Sequence, residues 1–369
     1  MRTRANRLGL WRTLSTGLLV GAAAIMMIPL VGAAGSEKLG FDFRRGYLPA
    51  AESVRVGGSP YVSLETEAAD GRLPYVYPPQ LAIALVPLTA LPVDVAAVLA
   101  FLGSLAALIG ALAVVGVRDV RCYAAVLVWA PGWNALEMAN VSAALALALA
   151  LAWRFRATIW RLAILLGLAI STKLFLWPLL AWAIATRRFR AAGLAAAIGL
   201  VVSLTAWAAI GFEGLISYPD QLGRIQVEDS YSIVAMATRF GYEPNVGHVL
   251  MAIVGVALLG AMVNFGRHGD DFRAFTCAIA AALAVTPVVW QHYLVLFAVP
   301  LALARPRFSV IWLLPIVLWV SPRVGNGDGL EPFMPAFVVL VLLVVLLARP
   351  RDEAPLAQAP RTESVPATK

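Results

Sequence analysis

The sequence predicts an all-α, polytopic membrane protein, and three observations predict it. Hydrophobic residues make up 61% of the 369-residue chain and charged residues only 14%. A soluble domain carries about 25% charged residues, so this chain could not cover a water-facing surface and its main solvent must be lipid. The apolar residues fall in long runs, and the charges fall in short clusters between them. The formal net charge of +8 therefore describes basic cytoplasmic loops rather than a nucleic-acid surface. One continuous helical bundle is expected, because domain counts derived from length rest on soluble proteins.

Apolar runs of about 20 residues are candidate spans. They are Leu14–Ala34, Gln80–Val117, Val120–Leu136, Val141–Trp153, Ile159–Ser171, Lys173–Thr186, Ala191–Gly211, Val246–Phe265, Phe272–Trp290, His292–Ala304, Ser309–Ser321 and Phe333–Ala348. Gln80–Val117 is too long for one straight crossing, and Pro87 and Pro92 are expected to divide it into a short re-entrant or interfacial piece and a true span. The resulting expectation is a bundle of about twelve transmembrane helices with short loop helices on the outer face.

With those spans the charges sort by side. Arg2, Arg4, Arg7 and Arg12 fall together with Arg118/Arg121, Arg154/Arg156/Arg161, Arg187/Arg188/Arg190, Arg267/Arg273, Arg305/Arg307 and the tail from Arg349. Most acids fall on the other side, among them Glu37, Asp42, Glu52, Glu65, Glu67, Asp70, Glu213, Asp220, Glu228 and Asp229. Both termini are then cytoplasmic, residues 1–13 precede the first span, and residues 14–348 form the membrane domain. The first apolar segment ends in Ala33-Ala34-Gly35, as a cleaved signal peptide can, but its apolar core is long and favours an uncleaved span. The tail 349–369 is rich in Pro, Ala and charge and is expected to be disordered. Cys122 and Cys277 show no metal-ligand spacing and are expected to be packing residues.

Two long loops, 35–79 and 212–245, lie on the outer face in this reading. The first carries Phe41-Asp42-Phe43-Arg44-Arg45-Gly46-Tyr47, a candidate surface helix over Ala50–Val56, and Tyr75-Val76-Tyr77-Pro78-Pro79. A lone carboxylate near the bilayer surface suits one chemistry. It can act as general base toward an attacking hydroxyl, and a phosphate leaving group departs without the second carboxylate of a typical glycosidase. The alternative for Asp42 is an ordinary interfacial acid. Arg44 and Arg45 are expected to lower the Asp42 pKa and to grip phosphate, or else to touch lipid headgroups. Tyr61, Tyr75 and Tyr77 stack on sugar or belong to the interfacial aromatic belt. Lys173 interrupts two apolar runs, where an ionisable group marks a functional site unless it snorkels to the interface. His292, beside Trp290, and the polar turn Glu137–Asn140 fall at the same face. Walker A, dinucleotide-loop, His-Glu-x-x-His and G-x-S-x-G motifs and Cys/His clusters are missing from the sequence, so no cofactor and no metal site is expected.

The chain resembles glycosyltransferase family 87, membrane enzymes of the GT-C fold that include polyprenol-phosphate-mannose-dependent α-mannosyltransferases and a related arabinofuranosyltransferase. The resemblance is carried by pieces in a shared order. They are Asp42 with its aromatic and Ala-rich sequel, Gly58-Ser59-Pro60-Tyr61, Tyr77-Pro78-Pro79 with a run ending in Pro87-Leu88-Thr89-Ala90-Leu91-Pro92, Gly167–Lys173, Arg187-Arg188-Phe189-Arg190, and Thr286-Pro287-Val288-Val289-Trp290-Gln291-His292.

The resemblance implies an inverting transfer, with Asp42 as base and a sugar, mannose foremost, on a polyprenyl-phosphate donor. It implies that His292 binds the donor phosphate or the acceptor and that Lys173 matches the family's lysine. With the residues' own chemistry, the candidate site comprises Asp42 and His292 as catalytic residues and Arg44, Arg45, Tyr61, Tyr77, Lys173 and Trp290 as donor-phosphate or substrate ligands. Expected partners are the donor, a lipid or glycan acceptor and membrane lipids, but no nucleic acid. Departures are Ala139-Asn140, where the family often has Gly-Gln, and His292-Tyr293, where it commonly pairs two histidines. A transporter or lipid flippase would instead place polar groups along a midplane path with repeats, and a structural subunit would need no such constellation. The topology has a direct check: a cysteine at Ser63 should react with an impermeant thiol reagent on intact cells, and one at Thr362 should be protected. The opposite pattern inverts the assignment.

Overall fold

The computed structural model describes residues 2–32, 39–61, 71–223, 230–321 and 331–348. The acids Glu37, Glu65, Glu67, Asp70, Glu228 and Asp229, the Ser63 labelling position and the tail 349–369 lie outside the described residues. Every regular element among the described residues is a helix.

Among the described residues, four helices are long and apolar enough to cross a bilayer alone. They are α1 (Arg2–Gly32, whose qualifying part starts at Leu10), α4 (Val93–Val114), α10 (Phe189–Ala209) and α13 (Pro244–Arg267). A fifth crossing results if α6 (Ala130–Glu137) and α7 (Ser142–Arg154) count as one span bent by 117°. The remaining apolar segments are shorter helices, among them α3 (Pro79–Leu85, prolonged by a tighter turn over Val86–Ala90) and α8 (Ile159–Thr172). A helix of 14 residues spans only about 21 Å, well short of a ~30 Å hydrocarbon core. Hydropathy therefore locates the apolar segments, while the backbone shows many of them broken.

The breaks have local causes. As expected, Pro92 caps α4 from outside and separates it from the Pro79–Ala90 piece. The expected span Val120–Leu136 is two helices, α5 (Val120–Val128) and α6, because Trp129 is extended (ψ 137°) and Pro131 restarts the helix. Lys173 is itself a break: its extended backbone (φ −136°, ψ 103°) ends α8 before the short turn Leu174–Leu176 and α9 (Pro178–Ala185). Past α14 (Asp271–Ala284) the chain is irregular up to Trp290, continues as a 3₁₀ turn over Gln291–Phe297, and then forms α15 (Ala298–Ala304). Irregular backbone at such depth is tolerated where protein covers it.

The main core is aromatic and alanine-rich, with Trp129, Trp153, Trp182 and Trp312 fully buried. Small residues bring helices close, as association in lipid requires. A Cβ on Gly167 of α8 would lie 2.8 Å from the Ala195 carbonyl of α10, so only glycine allows that approach. Leu200, Val201 and Leu204 of α10 and Val249, Ile253 and Val256 of α13 are exposed. That is the outer surface of a protein whose solvent is lipid. Cys122 and Cys277 are free and buried, as expected.

A smaller core holds Phe43, Tyr47, Leu48, Tyr75, Tyr77, Ala82, Ala96, Ala97 and Ala139. It fixes the segment that begins at Asp42. The predicted surface helix is observed as α2 (Leu48–Arg55), but Leu48, Ala50 and Ala51 are buried in it.

The basic loops are partly neutralised by their own acids. Asp271 accepts from Arg156 Nε (3.0 Å), from Arg188 Nη1 and Nη2 (3.0 and 2.6 Å) and from the Trp182 indole (2.9 Å). Asp119 caps α5, and the Arg121 guanidinium beside it holds its carboxyl down to about 2. Asp271→Ala would strand two half-buried guanidinium groups, at a cost of about 1.5–3 kcal/mol for hydrogen bonds to charged groups. The apparent Tm in detergent should fall by about 2–4 °C. An unchanged Tm would mean that solvent already screens these ion pairs.

Candidate functional site

Asp42 stands at the head of a π turn, Phe43–Tyr47, in which the Leu48 N–H reaches back to the Phe43 carbonyl. In such a turn, positions five apart stack, where in an α-helix positions four apart do. Asp42 and Tyr47 therefore face the same way, and both meet one side chain. Asn140 Nδ2 donates to Asp42 Oδ2 (2.6 Å) and to the Tyr47 hydroxyl (2.8 Å). The amide orientation is fixed from behind, because its Oδ1 accepts from the Ser142 N–H (3.0 Å) and hydroxyl (2.8 Å). The backbone docks at the same turn, with Gly40 N–H donating to the Glu137 carbonyl at 2.7 Å. Gly40 has φ +74°, a left-handed backbone conformation that glycine adopts without strain.

From Tyr47 a hydroxyl bond of 2.7 Å leads to Tyr77. The Lys173 ammonium lies 5.0 Å from the Tyr77 ring centre, 3.6 Å from that of Tyr293 and 5.6 Å from that of Phe175. Lys173 is 6% exposed, and its Nζ has no hydrogen-bond acceptor among the described residues. It sits in an aromatic cage at the wall of a cavity of about 320 Å³, also lined by Thr172, Trp177, Tyr218 and Pro287. Leu174 and Trp177 on that wall are exposed, so the cavity opens beside an apolar face. Gln80 of α3 donates to the Ser171 carbonyl and ties the Tyr77 strand of chain to the break at Lys173.

His292 is buried, and its Nδ1 lies 2.9 Å from Asn134 Oδ1. The amide oxygen only accepts, so Nδ1 carries the proton. Nε2 has no partner among the described residues. The His292 ring packs edge-on against Tyr293 at 4.9 Å, which places it behind the Lys173 cage.

The other sequence candidates lie elsewhere. Arg44 is drawn away from Asp42 to the Leu39 carbonyl (2.7 Å) and Asp94 (2.7 Å), and Arg45 reaches the Gly71 carbonyl (3.1 Å). The expectation that these arginines lower the Asp42 pKa is corrected. Burial raises it, while the Asn140 hydrogen bond and the Lys173 charge pull it partly back. Tyr61 stacks on Trp207 (5.3 Å) and donates to the Tyr77 carbonyl (2.8 Å). Tyr75 and Tyr77 are buried in the same cluster rather than ranged along an interface. Trp290 packs, half-buried, against the main core. Tyr47, Tyr293 and Asn134 were not singled out as site candidates. Tyr293 and Asn134 carry no signal beyond proximity to His292 and Glu137 in sequence, and Tyr47 is visible only once the π turn is known.

With the geometry in place, comparison with known proteins is decisive on one point. The profile of glycosyltransferase family 87 matches residues 75–290, more than half of the chain. The chain belongs to glycosyltransferase family 87. A curated relative is the polyprenol-phosphate-mannose-dependent alpha-(1-2)-phosphatidylinositol pentamannoside mannosyltransferase of Mycolicibacterium smegmatis. It is 25% identical, with 74% of this chain and 68% of the relative aligned. No solved structure matches the chain. The family-87 match begins at Tyr75, so Asp42 and the π turn precede it, whereas Tyr77, Asn140 and Lys173 lie inside it.

As a membrane glycosyltransferase, the protein has a reason to keep a buried lysine whose Nζ has no hydrogen-bond acceptor among the described residues. Lys173→Met, close in length and without the charge, should leave Tm unchanged or raise it, because no hydrogen bond is lost and a buried ammonium is removed. Turnover should fall at least about tenfold, or 1.4 kcal/mol. A lowered Tm with normal turnover would make Lys173 a structural residue.

Proposed function

We propose that this family-87 glycosyltransferase transfers a sugar, mannose foremost, from a polyprenyl phosphate to a lipid-linked or glycan acceptor, with inversion at the anomeric carbon. In this reading the site opens on the outer face of a plasma-membrane bundle of about twelve crossings, where nucleotide sugars are not supplied. The observation that carries it is the Lys173 ammonium, held by ring faces in an apolar-walled cavity and linked to Asp42 through Tyr77, Tyr47 and Asn140. A phosphate entering that cavity would give the ammonium a direct anionic partner, and the exposed apolar wall would accompany a prenyl chain. The relative's name supports the same donor class.

The acceptor hydroxyl oxygen attacks the anomeric carbon as the bond from that carbon to the phosphate oxygen breaks. The hydroxyl proton passes to Asp42, and the phosphate leaves with the bonding electrons. Lys173 stabilises the growing charge on the phosphate, and His292 stands beside it, with its ring held by Asn134. Burial raises the proton affinity of Asp42, which improves it as a base, and the Asn140 hydrogen bond and the Lys173 charge oppose that rise. The tyrosine chain orients these groups.

Two substitutions test the base. Asp42→Asn should cost about 10²–10⁴-fold in turnover while donor binding survives. Asn140→Ala removes a hydrogen bond that favours the ionised carboxylate, so the Asp42 pKa rises further. The acidic limb of kcat/KM should then move to higher pH. An unmoved limb, or Asp42→Asn within about threefold of the parent, would leave Asp42 an interfacial acid. Membranes supplied in parallel with labelled polyprenyl-phosphate mannose and arabinose identify the sugar. Label in product from arabinose alone would replace mannosyl by arabinofuranosyl transfer.

A further inference from the structure

A cavity of about 380 Å³ lies at the far end of the helices that frame the Lys173 site. Lys173 caps the end of α8, whereas Ile159, the first residue of α8, lines this cavity. Trp177 ahead of α9 lines the Lys173 cavity, and Arg187 just past α9 lines this one. α10 begins here at Phe189, and 21 residues on a helix cover about 31 Å. Near its other end Trp207 stacks on Tyr61, which bonds to Tyr77. A helix long enough to cross a bilayer thus separates the two places.

Arg156, Arg187, Arg188 and Arg190 line the cavity. Arg156 and Arg188 share the Asp271 carboxylate, and each guanidinium lies over a tryptophan, 4.2 Å from the Trp153 ring centre and 5.3 Å from that of Trp182. Two cations held on one anion repel each other. Burial lowers the Arg156 pKa, and the Arg188 charge lowers it further against the pull of Asp271. Arg187 stands at φ +62°, in a turn where the Arg188 N–H reaches back to the Ala183 carbonyl (2.7 Å). Helix ends of this kind usually put glycine in the left-handed position. The Arg187 side chain is exposed, so packing does not account for an arginine there.

The backbone adds to the same field. Ile159 of α8 and Phe189, Arg190 and Ala191 of α10 belong to the first turns of their helices, and neither start is capped by a side chain. The positive ends of two helix dipoles therefore lie at the space that the arginines enclose. Ile159 and Phe189 are themselves exposed, and beyond them run the exposed apolar side chains Ile164 and Leu168 of α8 and Leu200 and Leu204 of α10. An anion in the cavity adjoins surface that acyl chains cover, which fits a lipid better than a free ion.

We propose that this cavity binds the phosphodiester headgroup of an anionic glycerophospholipid, in the leaflet opposite the Lys173 site. Guanidinium forks match the phosphate oxygens, and the acyl chains follow α8 and α10. The bound lipid ties together the near ends of α8, α9 and α10, whose far ends frame the transfer site. The leaflet rests on the membrane-spanning reading above, and the binding does not.

Binding to the full-length protein in a neutral detergent tests the site with no sugar donor present, so the result is independent of the transfer reading. The probe is dihexanoyl phosphatidylglycerol, compared with dihexanoylglycerol, which lacks the phosphate, and with inorganic phosphate. Dihexanoyl phosphatidylglycerol should bind the parent protein at least about tenfold more tightly than either control. Arg187→Gly combined with Arg190→Ala should weaken that binding by at least about tenfold at a parent-like Tm, because glycine suits the left-handed position. Arg187→Lys with Arg190→Lys keeps the charge but loses the forks, and should give an intermediate loss. Lys173→Met should leave the affinity unchanged. Parent-like affinity in Arg187→Gly/Arg190→Ala, or a loss in Lys173→Met, overturns the site. Parent-like affinity in the double lysine variant overturns the guanidinium grip. Either control binding as tightly as dihexanoyl phosphatidylglycerol overturns the lipid headgroup as the ligand.

Discussion

The site depends on one side-chain amide. Asn140 takes two hydrogen bonds at its oxygen from Ser142 and gives its nitrogen to Asp42 and Tyr47. Because the oxygen end is occupied, the amide cannot turn over, and the nitrogen must face the carboxylate. It is 2% exposed, so the bonds do not compete with water, and an amide left unmet there would be costly. The π turn answers this constraint. Only a five-residue repeat brings Asp42 and Tyr47 to the same donor, so the irregular helix and the amide specify each other.

Lipid imposes the second constraint. Backbone polar groups inside a bilayer must be met within the protein, so helices break only where neighbours cover the break. The break at Lys173 is covered by Gln80 reaching the Ser171 carbonyl and by the ring faces of Tyr77, Phe175 and Tyr293. The stretch ahead of His292 is likewise irregular, and the His292 ring is held by Asn134 from α6. Interrupted helices thus place Lys173 and His292 in buried surroundings. The stability given up at a buried ammonium without a hydrogen-bond acceptor among the described residues is the usual signature of a site kept for binding.

The cavity beside Lys173 and the cavity beside Arg44 and Arg45 share no lining residue among the described residues. The Lys173 side is apolar with a single point charge, and the other side has three forked charges and a mixed rim.

The sequence by itself determined the solvent, the helical class and most of the chemistry-bearing residues. Its charge deficit, its apolar runs and the isolated positions of Asp42, Lys173 and His292 are local facts that any folded form must respect. It located the break at Pro92 for the same reason, because proline's missing N–H acts wherever it stands. The tertiary structure decided what those residues face. Arg44 and Arg45 adjoin Asp42 in sequence yet point into another cavity, and Asn140, about a hundred residues away, is the group that holds the carboxylate. The Asp42 pKa is raised instead of lowered because burial, which adjacency cannot report, outweighs every nearby charge. Helix length was decided there too. Hydropathy averages over a kink, whereas Trp129 and Lys173 end their helices through backbone angles that depend on what packs against them.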